Sequence, residues 1–377
     1  MMKSYYIDSN DVKLHVLADD AKDGKETILF LHGYPDTSAS WSKQFEYFKD
    51  KYRVAAFDLR GIKNPFQETI PSDFNMQNLM DDLDNVIEFL VGSNGKVHLV
   101  GHDWGAVISW CFISLPGNLK RVFTFTSISC PHPKLFYDNV ISNLFSWNLT
   151  QIQSSLNQVY KSWYILLFQI PLLPEFLWNT AGNLIWKPML TKGGLPESDE
   201  MFQFDKDTIL KSTIGNLSLY RNILKTGGAD IPNLPHEKVK LPITVIIPEN
   251  DLALAPMIYD GTKDYFVNAD LQYLQANHWV HREKPYHVNQ IIEKFLRDFI
   301  KNSDIYFHSE WDTGNLSAGE ILIQLKKKIA SMNPGNILKL KTKESSLKDA
   351  LFSWSLLTGN QLLKSKESEF YIKRRQK

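Results

Sequence analysis

The chain has 377 residues, room for two or three domains at roughly 100–200 residues each. Its 42 Lys and Arg balance 42 Asp and Glu, and a net charge of zero excludes a dedicated nucleic-acid binder, whose surface carries a basic surplus. A hydrophobic fraction of 43% with 22% charged residues excludes disorder as the main state, and two cysteines, Cys111 and Cys130, exclude a disulfide framework or a paired-cysteine metal site.

Met1 to Asn10 lacks the charged-then-apolar order of a signal peptide. Thr27 to Leu31 (TILFL) is the first clear strand signal, followed by Arg53 to Phe57, Val97 to Val100 and Val122 to Thr126. Between them Asn75 to Leu90 sets Met76, Leu79, Leu83, Ile87 and Leu90 three and four apart, an apolar helical stripe. This alternation predicts an α/β fold with a mostly parallel sheet and helices on both faces. The pattern resumes at Ile243 to Ile247 and Leu271 to Leu274, then a helix from about His287 to Ile300. From Pro131 to Leu241 there is no strand rhythm, only a block rich in Trp, Tyr, Phe and Leu that reads as an inserted helical subdomain. The longest apolar stretch, Trp163 to Trp178, is interrupted by Gln169, Pro171, Pro174 and Glu175, so no membrane span is expected and the setting reads as soluble and cytoplasmic.

From Lys301 onward Lys and Arg exceed Asp and Glu by six, so the rest carries the opposite imbalance, a sign of two separate units. Ile305 to Phe307 is a strand candidate, Ser317 to Met332 a helix, Ile337 to Leu340 a strand, Ser346 to Leu357 a helix stopped by Gly359, and Gln361 to Leu363 with Glu369 to Ile372 a closing hairpin. The order is βαβαββ, a small two-layer domain. The expected partition is a sheet domain over 1–133 and 236–302, a helical cap over 134–235, and the small domain over 303–377.

The segment with the clearest chemistry is Val97-His98-Leu99-Val100-Gly101-His102-Asp103-Trp104-Gly105: a strand, then G-x-D-x-G, then an apolar helix. Small residues on either side of the central position permit a sharp strand-to-helix turn that lifts one side chain off the sheet edge. The next backbone N–H, that of Trp104, stands at a helix N-terminus, where its dipole stabilises developing negative charge.

These residues resemble the α/β-hydrolase superfamily, in the branch of epoxide hydrolases and haloalkane dehalogenases, over about residues 3 to 300. His32-Gly33-Tyr34-Pro35 looks like the HGxP loop of that branch, which implies a second oxyanion N–H from Tyr34 and a cis peptide before Pro35. Asp58-Leu59-Arg60-Gly61 matches a loop after the next strand, and Asp58 is expected to be a structural acid. Pro248-Glu249-Asn250-Asp251 and Asn277-His278-Trp279 match the acid and histidine loops. The resemblance implies Asp103 as nucleophile, Asp251 as acid and His278 as base, with no cofactor and no metal. An aspartate there attacks an sp³ carbon and forms an alkyl ester, which His278-activated water then hydrolyses. His102 is expected to be structural, and His281 and His287 to be surface or helix residues.

An epoxide oxygen needs a hydrogen-bond donor as its bond breaks, and a halide needs N–H donors. Tyr164-Ile165-Leu166-Leu167-Phe168-Gln169-Ile170-Pro171 and Leu219-Tyr220-Arg221-Asn222 resemble the runs carrying the two cap tyrosines of epoxide hydrolases. Tyr164 and Tyr220 are therefore the expected donors, and Trp104, Phe168 and Trp279 the expected substrate contacts. The expected substrates are a small lipophilic epoxide and water. A dehalogenase, a catalytically silent ligand-binding protein and a Ser-type esterase are the alternatives, the last disfavoured because no Ser occupies the elbow. The aromatic cap (Phe145, Trp147, Trp163, Phe168, Phe176, Trp178, Trp186) reads either as a substrate tunnel or as a plain helical core. Two departures from the family pattern are Ile62-Lys63-Asn64-Pro65 after Arg60-Gly61, and Asn277 where glycine is usual, a residue that tolerates positive φ.

The last 70 or so residues resemble TusA/SirA-like sulfur carriers in Asp312-Thr313-Gly314, Pro334-Gly335, Leu357-Thr358-Gly359-Asn360 and Phe370-Tyr371-Ile372-Lys373. That family carries sulfur on a cysteine at a helix start. Here the aligned residues are Ser317-Ala318-Gly319-Glu320, and no thiol follows Cys130. A binding, dimerising or stabilising appendage is expected, and a homodimer stays open.

Overall fold

Apolar runs too continuous for a one-sided sheet become strands covered on both faces. In the computed structural model, which describes residues 2–20, 25–62, 71–302, 308–366 and 368–375, these are β3 (Thr27–Leu31), β5 (Val97–His102) and β7 (Ile243–Pro248), buried at every position. With β1 (Met2–Ser9), β2 (Val12–Asp19), β4 (Arg53–Phe57), β6 (Val122–Ile128) and β8 (Ala269–Leu274), they form an eight-stranded sheet in the order β1-β2-β4-β3-β5-β6-β7-β8. Pairing is parallel from β4 to β8 and antiparallel at the β1–β2–β4 edge.

The sheet therefore begins at Met2 and not at Thr27. The β1–β2 hairpin turns on Asn10 and Asp11 with φ of 40° and 64°, the left-handed pair a tight hairpin requires. Its outer strand is mostly exposed, so it carries no apolar run to read. Helix Met76–Val91 buries the predicted stripe against the sheet, and Asn75 caps it by accepting the Asn78 N–H at 2.9 Å. Helix Trp104–Ser114 is buried nearly all round.

Between β6 and β7 the chain is helical: Pro133–Leu144, Leu149–Lys161, Trp163–Leu167, Leu173–Lys192, Lys206–Ile214 and Leu217–Lys225. Its aromatic residues divide in two. Trp178, Trp186 and Phe168 are buried, whereas Phe145, Trp147 and Phe176 face solvent and belong to neither a tunnel nor a packed core; Trp163 is also exposed but stands at the rim of the cavity above Asp103. No helix among the described residues is long and apolar enough to cross a membrane.

The chain divides into two compact units, Met1–Phe295 and Leu296–Lys377, the division falling within helix Pro285–Asn302. The second unit has a four-stranded sheet of β9 (Ser309–Asp312), β10 (Ile337–Lys341), β11 (Gln361–Lys366) and β12 (Glu369–Lys373) in the order β11-β12-β10-β9. Helices Ala318–Ser331 and Leu347–Thr358 supply Ile321, Leu325, Ile329, Leu347 and Leu351 to its core, and Gly359 ends the second at φ 70°. Ile305 to Phe307 lie outside the described residues, as do Lys63, Asn64 and Pro65; the described first strand is β9. Ser317 closes the first helix start by a reciprocal bond with Glu320, its N–H reaching the carboxylate at 3.0 Å.

Candidate active site

β5 ends at His102, and Asp103 takes φ 50°, ψ −120° before the helix opens at Trp104. A non-glycine residue there is strained and is held only by its surroundings. The glycine spacing follows from the bend. A Cβ on Gly105 would stand 2.4 Å from the Leu31 carbonyl oxygen, and one on Gly33 would stand 2.4 Å from the Asp103 Cβ.

The bend brings three expected residues together. Asp103 Oδ1 accepts the Tyr34 N–H at 2.7 Å, and Oδ2 lies 3.6 Å from His278 Nε2. His278 Nδ1–H donates to Asp251 Oδ2 at 2.8 Å, which leaves Nε2 facing Asp103. Asp251 Oδ1 accepts the Ala253 and Leu254 N–H groups at 2.7 and 3.1 Å. The Tyr34–Pro35 peptide is cis. His32 and Asp58 brace the loops around it: His32 Nδ1–H donates to the Gly33 carbonyl and Nε2 accepts the Leu59 N–H, while Asp58 accepts the Ser38 N–H and pairs with His15.

Above Asp103 lies a cavity of about 590 Å³ lined by Tyr34, Tyr164, Phe168, Tyr220, His278 and Trp279 among others. The two runs that carry the cap tyrosines are bonded to each other. Gln169 donates to the Tyr220 carbonyl at 3.2 Å, and Arg221 donates to the Phe168 carbonyl at 2.9 Å and grips both oxygens of Glu175. Tyr164 and Tyr220 thereby meet edge-on with ring centroids 5.8 Å apart. Trp104 does not line the cavity. Its indole stands edge-on behind Tyr220 at 5.2 Å, so it supports a lining residue instead of touching a substrate. Trp279 lines the cavity and also packs with Trp178 and Trp186.

The sequence pattern of the alpha/beta hydrolase fold matches residues 26–285. The chain belongs to the α/β-hydrolase fold family. This α/β hydrolase is 29% identical over 313 residues to human epoxide hydrolase 4, covering 79% of each chain. It is 26% identical over 306 residues to Caenorhabditis elegans epoxide hydrolase 2, covering 78% of this chain and 79% of that one. Among solved structures, the Bacillus megaterium epoxide hydrolase in complex with an inhibitor superposes with a TM-score of 0.63 at 28% identity, over 78% of this chain and all of the other.

The charge pattern of this α/β hydrolase follows from burial. Burial raises the Asp103 carboxyl, opposed by His278 and by the Tyr34 and Trp104 N–H groups. Burial disfavours a charged His278, but Asp251 and then Asp103 outweigh it and lift the imidazole to about 9. That value lies above the ~6.5 of an unfolded histidine. The pair therefore adds stability below ~6.5 that is lost as pH rises through about 9. Asp103→Asn removes one of the charges, so His278 in that variant should titrate below about 9 when followed by imidazole NMR; a value unchanged or higher would show that Asp103 does not act on it. Burial raises both Tyr164 and Tyr220, and Asp103 adds to it in each, so both phenols keep their protons and remain donors.

Several residues of the site were not legible. The His278 carbonyl accepts the His102 Nε2–H at 3.0 Å and the Ser129 hydroxyl at 2.8 Å, and nothing in the sequence marks Ser129. His281, expected as a surface or helix residue, lies in the short helix Val280–Glu283 but is fully buried, packed between Trp41 (4.6 Å) and His102 (4.4 Å), because one helical turn after His278 points inward. His287 is exposed. Asn277 does not take a positive φ; its N–H donates to Glu283 at 2.6 Å, and that bond shapes the turn. Gln158 of the inserted helices donates to the Ala253 carbonyl at 2.8 Å and accepts the Ala255 N–H at 2.7 Å, Lys161 bonds the Asp251 carbonyl, and Arg282 pairs with Asp199.

Proposed function

We propose that this α/β hydrolase opens epoxides to vicinal diols through an alkyl ester on Asp103. The observation that carries the reading is a carboxylate, not a hydroxyl, at the elbow, with Oδ1 on the Tyr34 N–H, Oδ2 toward His278, and two protonated phenols in the same cavity. The relatives named epoxide hydrolase support it. In this mechanism Oδ2 attacks an epoxide carbon as its C–O bond breaks. The departing oxygen takes hydrogen bonds and then a proton from Tyr164 or Tyr220. The ester carries no charge, so His278 loses one of the carboxylates that favour its protonated form, Asp251 and Asp36 remaining. Its base strength falls toward neutrality at the step that needs a neutral imidazole. Water then gives a proton to His278 and attacks Asp103 Cγ, the tetrahedral oxyanion resting on the Tyr34 and Trp104 N–H groups. On collapse the leaving oxygen takes the proton of the hydroxyl on Cγ, which returns the carboxylate and frees the diol, and the proton held by His278 passes to the tyrosinate to restore the phenol.

A single turnover in heavy-oxygen water tests the ester. The first diol should carry unlabelled oxygen from Asp103, with label appearing in the protein; solvent oxygen in the first diol would exclude the mechanism. Tyr164→Phe and Tyr220→Phe should each slow ester formation by about 10- to 10³-fold. The double variant should slow it further, read by rapid-mixing kinetics; a double variant at the parent rate would remove both phenols from the chemistry. Halide release from a bromoalkane without diol formation from any epoxide would move the reading to dehalogenation. Within this reading residues 134–235 act as the lid of a core formed by 1–133 and 236–302. For 303–377 we propose a non-catalytic appendage, since Ser317 and Glu320 cap the helix where a sulfur carrier would hold its thiol.

A further inference from the structure

We infer that Asp36, His102 and His281 form a binding site for a divalent cation of the zinc type, placed behind His278 and apart from the reacting cavity. One ligand atom of each residue lies within 4.8 Å of the other two, and all three side chains are fully buried. Asp36 Oδ1 accepts the Thr37 N–H at 2.8 Å, and Oδ2 has no partner. His102 Nε2 bonds the His278 carbonyl, so its proton is there and Nδ1 presents a lone pair, also without a partner. Neither ring nitrogen of His281 has a partner. Buried polar atoms left this way cost on the order of 1–3 kcal/mol each, and among these atoms acceptors outnumber donors, since a neutral His281 offers one N–H.

A cation satisfies a carboxylate oxygen and two imidazole lone pairs at once. The donor set is two nitrogens and one oxygen, which suits zinc. Ligands about 2.0–2.1 Å from the metal stand roughly 3.3 Å from one another in a tetrahedron, so the side chains close in by small rotations about their χ angles. The Ser40 hydroxyl, buried beside Asp36, or a water can take the fourth position. His102 then shows the usual arrangement of a ligating imidazole, one nitrogen on the metal and the other N–H on a backbone carbonyl. Arg282, the buried cation next to the cluster, interacts with Asp36 and is paired with Asp199 at 2.5 Å and with Glu200 at 3.3 Å.

The sequence positions show what such an ion would do. Asp36 follows Tyr34 by two residues, His102 immediately precedes Asp103, and His281 follows His278 by three. One ion would pin the three segments that carry the N–H donor, the carboxylate and the imidazole. This is a structural role, independent of whether the substrate is an epoxide.

The test uses the untagged full chain, stripped with a chelator and supplied with one equivalent of zinc. Expected results are one zinc retained per chain after desalting and a raised thermal midpoint. Cobalt in place of zinc should give the intense visible bands of a four-coordinate ion. His281→Gln should weaken zinc binding by roughly 100-fold or more and abolish the cobalt bands. Asp36→Asn should do the same, and serves if the first variant fails to fold. X-ray absorption of the zinc-loaded native chain should show only nitrogen and oxygen neighbours. A native chain that retains no zinc and shows no change in midpoint would mean that water fills the site, overturning the proposal. Zinc held undiminished by either folded variant would place the ion elsewhere, at Asp103 and His278 for example, with the same consequence.

Discussion

Asp103→Asn is expected to lower epoxide turnover by about 10⁴-fold or more while the protein stays folded. Asparagine has the shape of aspartate, and its oxygen can keep the Tyr34 N–H that Oδ1 now holds at 2.7 Å. What it lacks is an anionic oxygen able to displace at carbon. The thermal midpoint should not fall, since the change removes a charge that burial already disfavours. Steady-state kinetics with an aryl epoxide, beside a thermal melt, gives both readings. Turnover within about tenfold of the parent would remove Asp103 as nucleophile.

His278→Gln separates the two halves of the reaction. Asp103 keeps both N–H donors and the tyrosines keep their cavity, so the ester should still form. Its hydrolysis should slow by about 10³-fold or more for want of a base. One equivalent of epoxide is then consumed in a burst, and the intact protein gains the mass of one epoxide. Mass spectrometry after brief incubation reads this directly. Continued turnover without accumulation of the adduct would exclude His278 from the second step. If no adduct formed at all, the imidazole would instead be needed for the first.

The elbow was legible because its constraint is local. Gly105 stands against the Leu31 carbonyl and leaves no room for a side chain, and the adjoining strand is buried throughout. The same holds for the Tyr164 and Tyr220 runs, whose Gln169 and Arg221 bond across to each other's backbone. Features set by distant packing were not legible. The edge strand β1 is mixed in composition, since only one side meets the protein. Trp104 adjoins Asp103 in sequence, but its ring turns behind Tyr220. His281 looked like a helix-surface residue until Trp41, remote in sequence, covered it. Ser129 reaches the His278 carbonyl from the end of another strand, a relation no local pattern encodes.

The bonds from Gln158 and Lys161 to the Asp251 segment, with that from Arg282 to Asp199, bear on traffic through the protein. A swing of the inserted helices as one piece would break several of these at once, at about 1–3 kcal/mol for each buried group left unpaired. Traffic is therefore cheaper through rotation of the rim side chains Tyr160, Trp163 and Leu252, which are already exposed. The portal then behaves as a turnstile of fixed frame: it sorts molecules by girth before any bond is made, and a bulky diol leaves more slowly than a slender one of equal reactivity.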